Sequence, residues 1–230
     1  MKSLYLLLNI GSISIPFLYS FHPKIKLYKK WKSLFLAIAI TTTFFIIWDI
    51  IFTKIGVWGF NPDYYLGVKI FNLPIEEWLF FICIPYACVF THYTLLHYFP
   101  KWEISKKITK LISVIILLIL SILTIYSLSK LYTSINALVA IAVLLYAMKQ
   151  HLEMLQKFYL TFLVMLIPFF IVNGVLTGSF ILNEVVWYDN TENLGIRMFT
   201  IPIEDSIYAF SLILANLSLT QTFQTKLFLK

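Results

Sequence analysis

Seven apolar runs, at residues 4–20, 33–52, 75–98, 111–128, 131–148, 158–182 and 203–223, make up most of this 230-residue chain. As helices, runs of this length cross a hydrocarbon layer of about 30 Å. With 60% hydrophobic and only 13% charged residues, the sequence lacks the polar surface that a soluble domain needs. The expected fold class is an all-α integral membrane protein with seven transmembrane helices. The first run is read as a span and not as a cleaved leader, because only Lys2 precedes it and no small-x-small pattern lies near residues 17–22.

The net charge of +7 could suggest a nucleic-acid surface, but the placement of the charges decides against that partner. If the helices alternate in direction, 5 of the 18 Lys and Arg lie on the side of the N-terminus: Lys2, Lys54, Lys69, Lys130 and Arg197. The other 13 lie opposite, with Lys24, Lys26, Lys29, Lys30 and Lys32 crowding one loop. The positive-inside rule then puts the N-terminus out and the C-terminus in, as for a multi-pass protein of the cell (cytoplasmic) membrane. Nine of the eleven acids, Asp49 among them, fall on the outer side. Membrane lipid is the expected partner of the basic inner face.

Within that frame one phrase occurs twice: Pro74-Ile75-Glu76-Glu77 returns as Pro202-Ile203-Glu204-Asp205, and each copy opens an apolar run. The loops before the phrases also correspond. Trp58, Phe60 and Tyr65 precede the first, and Trp187 with Tyr188 precedes the second. Internal similarity of this kind marks a duplicated membrane fold. Three helices reverse direction, so two directly fused copies would be inverted, and the fourth helix restores the direction. The expectation is two parallel three-helix repeats: residues 1–100 with helices one to three, a linker at 101–130 with helix four, and residues 131–230 with helices five to seven. Pro168, Asn173, Gly174 and Gly178 should bend or open the sixth helix toward the interior.

Pro followed by two acids is also an ordinary helix start, since Pro suits the first turn and carboxylates suit the positive end of the helix dipole. Its recurrence at the mouth of an apolar stretch points further. In the first copy Phe80 and Phe81 lie one turn below Glu76 and Glu77, and in the second Tyr208 lies one turn below Glu204. Carboxyl groups at the edge of hydrocarbon can supply a proton to an alkene, and aromatic faces can stabilise the cation that results. Acids, aromatic rings and a membrane-dissolved substrate together suggest cyclisation of a polyene. No metal is expected. Cys83 and Cys88 are five residues apart on one helix, and His22, His92, His97 and His151 have no acid or Cys at ligand spacing.

The strings Trp58-Gly59-Phe60-Asn61-Pro62, Pro74-Ile75-Glu76-Glu77-Trp78-Leu79-Phe80-Phe81 and Ile201-Pro202-Ile203-Glu204-Asp205-Ser206-Ile207-Tyr208-Ala209-Phe210 resemble the two halves of the membrane-integral lycopene cyclase family. The likeness is to its fused form and runs over nearly the whole chain. It implies closure of β-rings at the ends of lycopene, giving γ-carotene or β-carotene, by an isomerase (intramolecular lyase) that needs no cofactor. On this resemblance Glu76, Glu77, Glu204 and Asp205 are the expected catalytic residues, with Glu76 and Glu204 leading. Trp48, Trp58, Phe60, Tyr65, Trp78, Phe80, Phe81, Asn173, Trp187 and Tyr208 are the expected substrate-binding residues, in a cleft between helices two, three, six and seven. Arg197 is a candidate for holding one carboxylate ionised. The implied partners are an apolar acyclic carotenoid and other carotenoid-pathway enzymes. The second phrase departs from the first at Asp205, Ser206 and Ile207, so the halves should not do identical chemistry. No Gly-x-Gly-x-x-Gly is present, which argues against a flavin.

Three other functions place different demands on the sequence. A prenyltransferase would need clustered Asp, and Asp49, Asp63, Asp189 and Asp205 are scattered. A non-catalytic carrier for carotenoid or another apolar lipid would use the acids as helix caps alone. A proton-coupled transporter would place them at midspan and not at helix entrances.

Overall fold

The computed structural model describes residues 1–228, with side-chain surroundings to residue 226. Seven helices follow in chain order: α1 (Leu4–Tyr19), α2 (Trp31–Ile55), α3 (Ile75–Tyr98), α4 (Lys106–Tyr126), α5 (Leu131–Gln150), α6 (Leu152–Leu176) and α7 (Ile203–Phe228). Five of them, α2 to α6, are long and apolar enough to cross a membrane, and α1 is a shorter apolar helix. The protein is a multi-pass membrane protein. α7 is more polar, carrying Asn216, Gln221 and Gln224, and it lies at the centre of the bundle, packed on α2, α3 and α5. There Asn216 and Thr41 of α2 hydrogen-bond at 2.9 Å, a buried contact that pins α2 to α7.

Local sequence explains where the helices start and stop. Gly56 ends α2 in the left-handed region at φ 84°, which only glycine adopts freely. Pro74 precedes α3 with an extended backbone, so Glu76 and Glu77 fall in the first turn. Ser105 caps α4 by accepting from the Ile108 N–H.

Three two-stranded ribbons sit at the acidic end. β2 (Lys69–Ile70) pairs with β3 (Leu73–Pro74), and β5 (Arg197–Met198) pairs with β6 (Ile201–Pro202), each forming a tight hairpin that leads straight into α3 or α7. The third joins the two halves: β1 (Trp58–Phe60) runs antiparallel to β4 (Val186–Tyr188), with Trp58 opposite Tyr188 and Gly59 opposite Trp187. Side chains alternate across a strand. Trp58, Phe60, Val186 and Tyr188 therefore turn inward, while Trp187 turns out over Gly59.

The helices repeat a packing scheme. α1 packs on α3 as α5 packs on α7, and α4 lies outside against α5. The polar contacts repeat as well. Asn9 donates to the Glu76 carbonyl (2.8 Å) and Asn136 to the Glu204 carbonyl (2.6 Å). The Leu66 N–H donates to Glu76 and the Leu194 N–H to Glu204, both at 2.7 Å. Tyr5 donates to Glu77 and Tyr132 to Asp205. The offset is 128 residues for the acids but 127 for Tyr5 with Tyr132 and Asn9 with Asn136, so α5 is one residue out of step with the register that the phrases alone suggest.

Candidate active site

Below the β1–β4 ribbon lies a cavity of about 480 Å³, walled mostly by apolar side chains of α1, α3, α6 and α7. α1 takes the place that the sequence suggested for α2. Because α2 is packed against α7, it offers the cavity only Asp49. Pro168 and Asn173 of α6 do face the cavity, although α6 is one continuous helix through Pro168.

Three buried carboxyl groups reach this space: Asp49, Glu77 and Asp205. Asp205 accepts from the hydroxyls of Tyr132 (2.5 Å) and Tyr188 (3.0 Å) and from Asn173 Nδ2 (2.7 Å). Every polar neighbour is a donor, as suits an acceptor-only carboxylate. Burial, with Asp205 alongside, pushes the Tyr188 phenol well above its ordinary value, so it stays a donor. Across the cavity, Glu77 accepts from the Tyr5 hydroxyl, and Asp49 accepts from Trp58 Nε1 and from Thr53 Oγ1 (3.2 Å). Asp49 and Glu77 both line the cavity on this side, close enough to interact electrostatically. Tyr208 stands within electrostatic reach of all three acids. Its ring packs on Phe45 and Trp48, with centroids at 5.0 Å in both cases.

The four acids expected from the sequence thus separate. Glu77 and Asp205 line the cavity; Glu76 and Glu204 do not. The latter two are wholly buried and hold the chain ahead of each hairpin through the Leu66 and Leu194 amides, with Thr133 Oγ1 also donating to Glu204 (2.7 Å). Among the expected binding residues, Trp58, Phe60, Phe80, Phe81, Asn173 and Tyr208 face the cavity. Trp48 is buried behind Tyr208, and Tyr65 is buried beneath Lys69. Trp78 donates to the Ile70 carbonyl of the hairpin (3.3 Å), and Trp187 lies on the outer face of its strand, 40% exposed. Tyr188 stands directly opposite Trp58 across the ribbon and faces the cavity with it. Among the described residues Arg197 reaches no carboxylate; it donates to the Thr200 carbonyl and to Asn190 Oδ1 and lies over the Tyr188 ring.

Sequence reasoning missed Asp49, Tyr5, Tyr132 and Tyr188. Asp49 carried a readable signal, being an acid inside an apolar run. Tyr5 and Tyr132 were hidden by the one-residue slip between α1 and α5, and Tyr188 stood in the matched loop without being singled out.

A family model described as lycopene cyclase matches residues 2–95 and 129–223 of the chain. Comparison with curated proteins and with solved structures found no match.

Proposed function

The chain belongs to the lycopene cyclase family, and we propose that it closes β-rings at the ends of lycopene by adding and removing one proton within the cavity beneath the β1–β4 ribbon. The family implies a carotenoid cyclase. The observation that carries the chemistry is the meeting of Asp49, Glu77 and Asp205 with Tyr208, Phe80, Phe81 and Trp58 in one apolar space.

The Glu77–Asp49 pair supplies the proton, which adds to the terminal alkene of the substrate. The resulting tertiary cation is captured by the neighbouring internal alkene, and this forms the carbon–carbon bond that closes the ring. A proton leaves the adjacent ring carbon to the Asp205 carboxylate, and its bonding pair becomes the ring double bond. One proton enters and one leaves, so the oxidation level is unchanged and the step consumes no oxidant or reductant. The faces of Tyr208, Phe80 and Trp58 stabilise the cation, and the apolar walls keep water from trapping it. Glu76 and Glu204 act in support, fixing the turns from which Glu77 and Asp205 project.

The same reading takes α1 to α7 as seven spans in two parallel repeats, N-terminus outside and C-terminus inside, with the acids near the outer surface of the cell membrane. Opposed loop charge and the repeated polar contacts support it.

Pigment analysis of lycopene-accumulating bacterial cells is the test. The parent should yield monocyclic or bicyclic carotene. Glu77→Gln and Asp205→Asn should lower the yield by about 10²-fold or more at equal membrane expression, the usual range for losing a general acid or base. Unchanged lycopene beside a well-expressed parent would rule out ring closure on this substrate.

A further inference from the structure

The cavity does not stop at the acids. Its α3 wall continues as a single stripe through Phe81, Ile84, Cys88 and Thr91, spaced three or four residues apart so that they share one helix face, with Ala87 at its edge. From Glu77 to Thr91 this stripe covers 14 residues, or roughly 21 Å of helix. That is about two-thirds of a bilayer's hydrocarbon depth. α1 and α6 both pack on α3, so α3 is the floor of a trough whose side walls are α1 and α6.

The α1 wall is unusual in presenting Gly11 and Ser12, flanked by Leu8 and Ile15. Gly11 is exposed, and a Cβ placed on it would meet nothing within 4 Å. Glycine costs a helix interior about 1 kcal/mol against alanine. Here neither close packing nor a positive φ requires it. What it does is leave the trough open at mid-height.

We propose, resting on the cyclase reading above, that this trough holds the polyene stem of the substrate while the reacting end sits among the acids, and that Gly11 sets the width through which the stem enters from the lipid. The occupant follows from continuity. A carotenoid end placed at Glu77 carries a long, rigid, apolar chain that must leave the acid site somewhere, and the trough is contiguous with that site and almost wholly apolar. Small side chains at Gly11, Ser12, Ala87 and Cys88 suit a flat polyene better than a bulky lipid headgroup.

A graded series tests this. In lycopene-accumulating cells Gly11→Ala should keep most of the parent's cyclised product. Gly11→Trp should cut it by at least about tenfold, since displacing a bound substrate by even 1 Å can cost 10²-fold. Ile122→Trp, at a 67% exposed position on α4, a helix that contributes no residue to the cavity wall, should leave it unchanged. All three should match the parent in membrane expression and in thermal midpoint in detergent, because every replacement at Gly11 is a better helix former. A parent that cyclises together with a Gly11→Trp variant that does so equally well would overturn the trough assignment and leave the cyclase reading intact. A well-expressed parent that leaves lycopene untouched would overturn both.

Discussion

Glu76 and Glu77 are neighbours in the chain, yet their oxygens meet different surroundings. Glu76 accepts a backbone N–H from the preceding loop, whereas Glu77 faces Tyr5, Asp49 and the cavity. Helix geometry turns successive side chains by about 100°, so only one of two adjacent acids can point inward from a given helix. Glu76→Ala should therefore act on stability. It strands the Leu66 N–H and should cost about 1–3 kcal/mol, read as a lower thermal midpoint in detergent. If the Glu77–Asp49 pair is the proton donor proposed above, Asp49→Asn should act on turnover, with loss comparable to Glu77→Gln and little further loss in the double variant, because groups that act as a unit are not additive. Product yields from the two single variants and the double would check this; additive losses would mean that Asp49 and Glu77 work independently.

Among the elements, the β1–β4 ribbon is the one on which the two halves depend for a common roof. It is only three residues per strand, and its alternation decides which aromatics reach the cavity. Gly59 permits this, since a Cβ there would run into the Trp187 ring. Gly59→Val should force Trp187 off the strand at about 1–3 kcal/mol, the usual cost of overpacking, and should disturb Trp58 and with it Asp49. A reduced thermal midpoint with lower turnover would be the sign. An unchanged midpoint would show that Trp187 swings aside freely.

For the molecule as a whole, the asymmetry between the crevices matters more than the repetition. α2 is drawn onto α7 through Thr41 and Asn216, while α6 meets α3 at His92 and Thr161 (2.8 Å) and spreads away from it around the cavity. The duplicated acids consequently serve one cavity, with a Glu on one side and an Asp on the other. Orientation in the membrane is testable at this scale. Asp63→Cys, in an exposed loop at the acidic end, should be labelled by an impermeant maleimide in intact cells, and Lys101→Cys only after lysis. The native Cys83 and Cys88 sit within α3, away from both loops. The reverse labelling pattern would invert the topology.

Composition and apolar periodicity were enough to determine a helical membrane protein, because hydrocarbon leaves the backbone little choice but to bond within each helix. The repeated Pro-Ile-Glu phrase was enough to point to both halves of the site and to the family. Which acids face the cavity was left to tertiary structure. The sequence favoured Glu76 and Glu204 for following Pro-Ile, but their side chains turn to the Leu66 and Leu194 amides and leave Glu77 and Asp205 at the cavity. Asp49 and the tyrosines of α1, α5 and β4 join them from distant parts of the chain. Such meetings depend on how helices pack, and helix packing has no local signature in the sequence.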